Sequence, residues 1–350
     1  MSDDAVSAPA PQTDGLPFEQ ALYESSPLGL VLTTLVVFAA MYGSFLAIAA
    51  LEHVPTIEHT EKGVMFSDAG WPALVLTLLC TSAMALQRYM RLAEARDAPA
   101  YARILSGGMA SASDITGPAP RDAKLGPATL IGILFGIVVS VVVRVSELRE
   151  GHVIPPVTMG WYAAASIFLV VLFARGVAQS RAGGRSYARV LNAELKIDLL
   201  RTNTLTVLGR SAARSALIWF VISAIACLFF VRSDLNWLTI LLAAGCAVMG
   251  ISVFVSIMSR IHRQILAVKT AELEHVRAQI DAARAVMHAD THAAARLHGM
   301  LAYEKRIADA AEWPFDQSTL VRIAAYILIP TVPWFGQAVV QYFVDHLAHG

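Results

Sequence analysis

Six apolar blocks, none with a charge at its centre, constrain this chain more than any other feature. They run Pro27 to Leu51, Gly70 to Met90, Gly126 to Val143, Val157 to Ala174, Ser215 to Val231 and Trp237 to Met258. A helix rising about 1.5 Å per residue crosses a hydrocarbon core of about 30 Å in roughly 20 residues. The third and fourth blocks have 18 residues each, and Arg144 and Arg175 at their ends can snorkel to the headgroups to complete the crossing. Backbone in lipid has no water to bond, so each block is expected to be a helix; the period-2 alternation of a barrel is absent. The expected fold is therefore all-α: a polytopic membrane protein with six transmembrane helices. Composition agrees, with 56% apolar and 15% charged residues and a mean hydropathy of +0.56. That balance excludes a soluble enzyme, a disordered chain and a disulfide-built secreted domain.

Net charge is zero, but the cations are unevenly placed. Of 27 Lys and Arg residues, four fall in the first, third and fifth connections (Lys62, Arg144, Arg149 and Arg232), and 23 fall in the second and fourth connections and the C-terminal region. Positive charge stays on the cytoplasmic side, so both the N-terminus and the region after the sixth span are expected in the cytoplasm. Trp71, Trp161 and Trp237 then mark the outer boundary as interfacial aromatics. The first 26 residues hold Asp3, Asp4, Asp14, Glu19 and Glu24 and no Lys or Arg. They read as a disordered tail and lack the basic start of a secretory signal. No basic excess points to nucleic acid; the implied partners are the lipid bilayer and either a second copy or a cytoplasmic protein.

Small residues outline packing faces. Gly132, Gly136 and Ser140 recur at four-residue steps in the third block, and Ala243 and Ala247, with Gly250 beyond, do so in the sixth. Such faces let helices approach closely, within one chain or across a homodimer seam.

The chain divides into a tail (1–26), a six-span domain (27–258) with a cytoplasmic helical connection at 178–213, a helical hairpin (259–312) and a returning segment (313–350). In the connection Tyr187, Leu191, Leu195 and Leu199 form a stripe flanked by Arg189, Lys196 and Arg201. This suits either a helix on the inner leaflet or one packed on other cytoplasmic helices. Beyond the sixth span, Leu273, Val276, Ile280, Ala283 and Met287 form a heptad-like, coiled-coil seam, answered by Leu297, Met300, Tyr303, Ile307 and Ala310. A single rod to Glu312 would reach about 80 Å and strand the apolar stretch Ile323 to Val344 far from lipid. A hairpin turning near His288 to His292 returns it. Pro330, Pro333, Gly336, Gln337 and Gln341 favour a kinked, membrane-embedded helix there over a seventh crossing.

His262, Lys269, Glu312-Trp313-Pro314-Phe315-Asp316, Arg322 and Pro330 to Trp334 together form a pattern that resembles the C-terminal part of uncharacterised bacterial polytopic inner-membrane proteins. The likeness spans the last third of the chain. It implies a bacterial inner membrane and no activity.

Motifs for chemistry are missing: no HExxH, GxSxG, phosphate loop or dinucleotide fingerprint occurs. No catalytic residue and no cofactor are assigned. The three cysteines, Cys80, Cys227 and Cys246, lie inside apolar blocks and read as small hydrophobes. Two histidine groups are metal candidates: His53 and His59 with His152 among the carboxylates of the first and third connections, and His288 with His292 near the hairpin turn. No ionisable group falls mid-span, which disfavours a coupled carrier. Hydroxyls at Thr77, Thr81, Ser82, Ser140, Ser166, Ser223, Ser252 and Ser256 leave a channel or transporter as the alternative. The leading expectation is a non-enzymatic scaffold or sensor working through its cytoplasmic helices.

Overall fold

The computed structural model describes residues 18–60, 63–106, 108, 110, 125–149, 154–195, 197–200, 205–231, 237–286 and 291–313, with 321, 324, 325 and 328. Among them are eight α-helices: α1 (Phe18–Ser25), α2 (Gly29–Leu51), α3 (Gly70–Ile104), α4 (Leu125–Arg149), α5 (Pro156–Glu194), α6 (Thr206–Cys227), α7 (Trp237–Val286) and α8 (Thr291–Ala308). Six of these, α2 to α7, are long and apolar enough to cross a membrane. The protein is an all-α polytopic membrane protein. The returning segment expected at Ile323 to Val344 lies almost wholly outside the described residues.

Contacts sort the chain into two compact units. The first comprises Met1–Leu92, Lys124–Ala178 and Leu228–Leu235. Here α2 presents Val31, Leu32, Leu35 and Val36 outward, as a lipid-facing helix must where no water competes. Its other face builds an aromatic core: Phe45 and Ala49 are fully buried with Ala73, against Tyr42, Trp161 and Tyr162. Gly132 and Gly136 of α4 stand over Val171 and Ile167 of α5, so that a Cβ on either glycine would lie 2.8 Å from a backbone Cα. The falling partner numbers make the pair antiparallel, and the missing side chains set its closeness. Ser140 completes the face but bonds within its own helix, to the Gly136 carbonyl.

Two features of this unit correct the sequence reading. Residues 18–25, expected as part of a disordered tail, form α1 with Glu19, Gln20 and Tyr23 buried. The first connection contains strands that the all-α expectation did not include: β1 (Ile57–Thr60) and β2 (Gly63–Phe66) pair antiparallel, with Ile57 opposite Phe66 and His59 opposite Val64. These are the two β-strands among the described residues. Ser67 then caps α3, accepting from the Gly70 N–H at 2.9 Å.

The second unit comprises Ala93–Ala123, Gln179–Cys227 and Asn236–Gly350. The helices α6 and α7 pack along their length. Gly250 fits beneath the Ala216 carbonyl and Trp219, and Ser223 donates to the Ala243 carbonyl at 2.8 Å. Ala243 is buried and Ala247 partly so. A core of Tyr101, Ile104, Leu105, Leu205, Leu208, Met258, Ile261, Ile265 and Ile307 joins the end of α3 to α6, α7 and α8. The stripe read as a separate connection helix takes a different form: α5 runs on to Glu194, and Leu195, Ile197 and Leu199 pack on this core. Leu195 and Leu199 of that stripe thus pack on other helices; the side chains of Tyr187 and Leu191 lie outside the described residues. Leu105 and Leu195 share an antiparallel bridge, and an Asp97–Arg214 ion pair ties α3 to α6.

Candidate functional site

An α-helix of 50 residues, α7, is about 75 Å long, far more than a bilayer requires. No Gly or Pro interrupts it after Gly250, so propensity carries it on once the apolar block ends. Its second half has a stripe at steps of three and four: Met258, Ile261, Ile265, Lys269, Leu273, Val276 and Ile280. Along this stripe α8 folds back. Val276, Ile280 and Ile307 are buried; Leu273, Leu297 and Met300 are half-buried. Met287 lies outside the described residues.

Lys269 is the exception in this stripe. It is only 7% exposed, and its Nζ donates to the Ala310 carbonyl and to Glu312 Oε1, both at 3.1 Å. A buried ammonium is costly unless paired and hydrogen-bonded, and here it is both. One step toward the membrane block, His262 Nδ1 donates to the Glu312 carbonyl at 2.9 Å, which fixes the ring proton on that nitrogen. The His262 ring stacks on Trp313 with centroids 4.1 Å apart and planes 6° from parallel. Further out, Tyr303 donates to Glu272 at 3.0 Å, and Arg277 to Glu304 at 2.7 Å. Burial is slight at Tyr303; its phenol is pushed up chiefly because the neutral hydroxyl donates to Glu272. The hairpin is thus sealed by apolar contacts along one line and polar contacts on its flanks.

Of the histidines considered as metal ligands, only His53 has a described side chain. His53 is exposed and has φ of +55°, because it terminates α2. Val54 N–H bonds to Ala49 O at 2.8 Å and His53 N–H to Ala50 O at 3.4 Å, a Schellman closure with His53 at the left-handed position. Its neighbour Glu52 reaches α5, accepting from the Val157 and Thr158 N–H groups at 3.0 and 2.6 Å. A carboxylate there meets the unpaired amides and the positive end of the helix dipole. Desolvation pushes its carboxyl up, but hydrogen bonds from Thr158 and the two amides outweigh this and hold it below the ordinary carboxylate range. The side chains of His59, His152, His288 and His292 lie outside the described residues. Among the described residues no three His, Cys, Asp or Glu side chains gather into a group able to hold a metal.

Seven of the eight span hydroxyls named above, Ser140 among them, bond to backbone carbonyls. Thr77, Thr81, Ser82, Ser252 and Ser256 each bond a carbonyl of their own helix one turn back; Ser223 bonds across α6 and α7. Such bonds are the ordinary use of hydroxyls in membrane helices.

Lys269 and Glu312 entered the sequence reading only through the resemblance, without a pairing or a role in the hairpin. The usable signal was local: a lone cation inside an otherwise apolar stripe demands a partner. The ion pairs of Glu19 and Glu24 on α1 with Arg175 of α5 and with Arg88 and Arg91 of α3 left no such signal. The chain matches no protein-family model, no curated protein and no solved structure.

Proposed function

We propose that this chain is a non-enzymatic integral membrane protein of a bacterial inner membrane, a scaffold or sensor whose α7–α8 hairpin is its working surface. The N-terminus and the hairpin lie in the cytoplasm on this reading, because 23 of 27 cations fall on that side of the six spans. The observation that carries it is the extension of α7 well past the apolar block, paired with α8 through a buried and ion-paired seam. A helix kept rigid that far beyond lipid serves contact with another macromolecule. The hairpin's outer side also leaves Leu266, Val268 and Leu301 more than a third exposed. Apolar groups outside the seam are where a second copy or a cytoplasmic protein gains binding energy.

The test is native mass measurement and crosslinking of the full-length protein extracted in mild detergent, beside the variant Val268→Glu with Leu301→Glu. A dimer, or a stoichiometric partner lost in the variant while thermal stability holds, supports the reading. A monomer without partners in both proteins contradicts it.

A further inference from the structure

The apolar block of α3 gives way at Arg88 and Arg91, and that of α5 at Arg175. Guanidinium groups at the ends of spans ordinarily reach the phosphates of lipid headgroups. In this structure they meet carboxylates from the start of the chain. Glu19 Oε2 lies 2.9 Å from Arg175 Nη1. Glu24 Oε1 serves two cations, Arg88 and Arg91, the latter at 3.0 Å. Between them Gln20 Nε2 donates to Gln87 Oε1 at 3.4 Å.

The closure is both incomplete and short. Glu19 is 2% exposed, yet its Oε1 is buried without a hydrogen-bond partner, as is Arg175 Nε. The eight-residue α1 joins α2 through Gly29 in the left-handed region at φ +73°. Near this joint it is held by hydroxyl contacts, Tyr23 with Thr34 at 3.1 Å and Ser26 with Thr33 at 2.6 Å.

We propose that Arg88, Arg91 and Arg175 form a phosphate-type anion site, that α1 is a strap filling it with its own carboxylates, and that an anionic lipid headgroup takes the site when α1 lifts. A guanidinium presents the same planar fork to phosphate as to carboxylate, so one can replace the other. Phosphate offers more acceptor oxygens than one carboxylate, enough to engage the Arg175 Nε that Glu19 leaves unmet. The lipid state of the membrane would then be read as the position of the N-terminal helix. This rests on the first unit alone and is independent of the hairpin.

The test uses the full chain carrying Gln20→Cys and Gln87→Cys, reconstituted in phosphatidylcholine vesicles; the three native cysteines are buried. Crosslinking by a short bifunctional thiol reagent, long enough to replace the two glutamine side chains, should be efficient in phosphatidylcholine and fall about fivefold when phosphatidylglycerol is added. Glu19→Gln with Glu24→Gln should crosslink poorly in both lipids. If the cysteine pair fails to insert, native mass measurement of retained phosphatidylglycerol replaces it: the Glu19→Gln, Glu24→Gln protein should retain more than wild type. Crosslinking that falls with inorganic phosphate but not with phosphatidylglycerol overturns the lipid source. An equal fall with sodium chloride at the same ionic strength, unchanged crosslinking throughout, or equal lipid retention overturns the proposal.

Discussion

Lys269 of α7 and Glu312, beyond the end of α8, form an ion pair of 3.1 Å in which the lysine side chain is 9% exposed and the carboxylate 43%. The asymmetry sets its energetics. The ammonium has lost most of its water and depends on Glu312 and the Ala310 carbonyl, whereas the carboxylate keeps solvent.

Removing the two partners is therefore expected to have unequal effects. Glu312→Gln retains an acceptor and should cost about 1 kcal/mol or less, because the exposed side of the pair is screened. Glu312→Leu leaves the buried ammonium with one acceptor and should cost about 2 kcal/mol. Lys269→Met keeps the apolar stem in the seam and should partly rescue Glu312→Leu. Thermal unfolding of the four proteins in one detergent gives the coupling; a strictly additive double variant would count against the lock.

The glycine face of α4 yields a contrast inside one protein. Gly132→Ala and Gly136→Ala each place a Cβ 2.8 Å from the backbone of α5, with no side chain free to swing aside. Each should destabilise by about 1–3 kcal/mol, the usual cost of overpacking. Gly245 in α7 has nothing within 4 Å of its added Cβ, so Gly245→Ala should be neutral. Melting temperatures in matched lipid separate the cases, and equal effects at all three positions would refute close α4–α5 packing.

How much of this was legible depended on the range of the interactions. Spans were legible because an uninterrupted apolar block such as Trp237 to Met258 has one low-energy form in lipid. The hairpin was legible from Val276, Ile280 and Ile307, whose spacing records a face needing a partner. The helix α1 was not: Glu19 and Glu24 look like tail acids until Arg175 and Arg88 arrive, 156 and 64 residues further along the chain. Composition cannot encode a pairing that distant. Likewise the cap made by Glu52 and the left-handed closure at His53 were hidden, because both depend on where α2 stops and α5 begins, which composition does not record. The continuation of α5 was not read from the sequence, because Gly176, Gly183 and Gly184 lower helix propensity there yet are accommodated within the helix.

At the α2–α5 junction pH provides a check. Because the folded Glu52 carboxyl is held below its ordinary range, its contribution is complete above the unfolded carboxylate value of about 4.3. It is lost as pH falls through the lower, folded value. Amide exchange at Val157 and Thr158 should stay protected at pH 5 in the wild type and be fast at every pH in Glu52→Ala. His53→Gly should retain or raise stability by about 0.5–1 kcal/mol, since glycine adopts the left-handed conformation freely. A loss of stability restored only by added zinc would instead mark His53 as a ligand.

Hydroxyl deletions distinguish a bond between helices from bonds within one. Ser223→Ala breaks the link to the Ala243 carbonyl and should cost about 0.6 kcal/mol, with an upper end near 1.7. Ser252→Ala removes a bond to its own helix at Val248 and should be silent. Ion flux from vesicles should not change in either variant. A conductance that tracks these hydroxyls would favour the pore reading.

The claim on which the functional reading stands is that α7 leaves the membrane into the cytoplasm and carries its hairpin there. Glu274 is exposed on α7, so Glu274→Cys reports its side directly to a membrane-impermeant maleimide. Labelling only after the inner membrane is permeabilised is the expected result; labelling of intact cells from the periplasm would contradict the account.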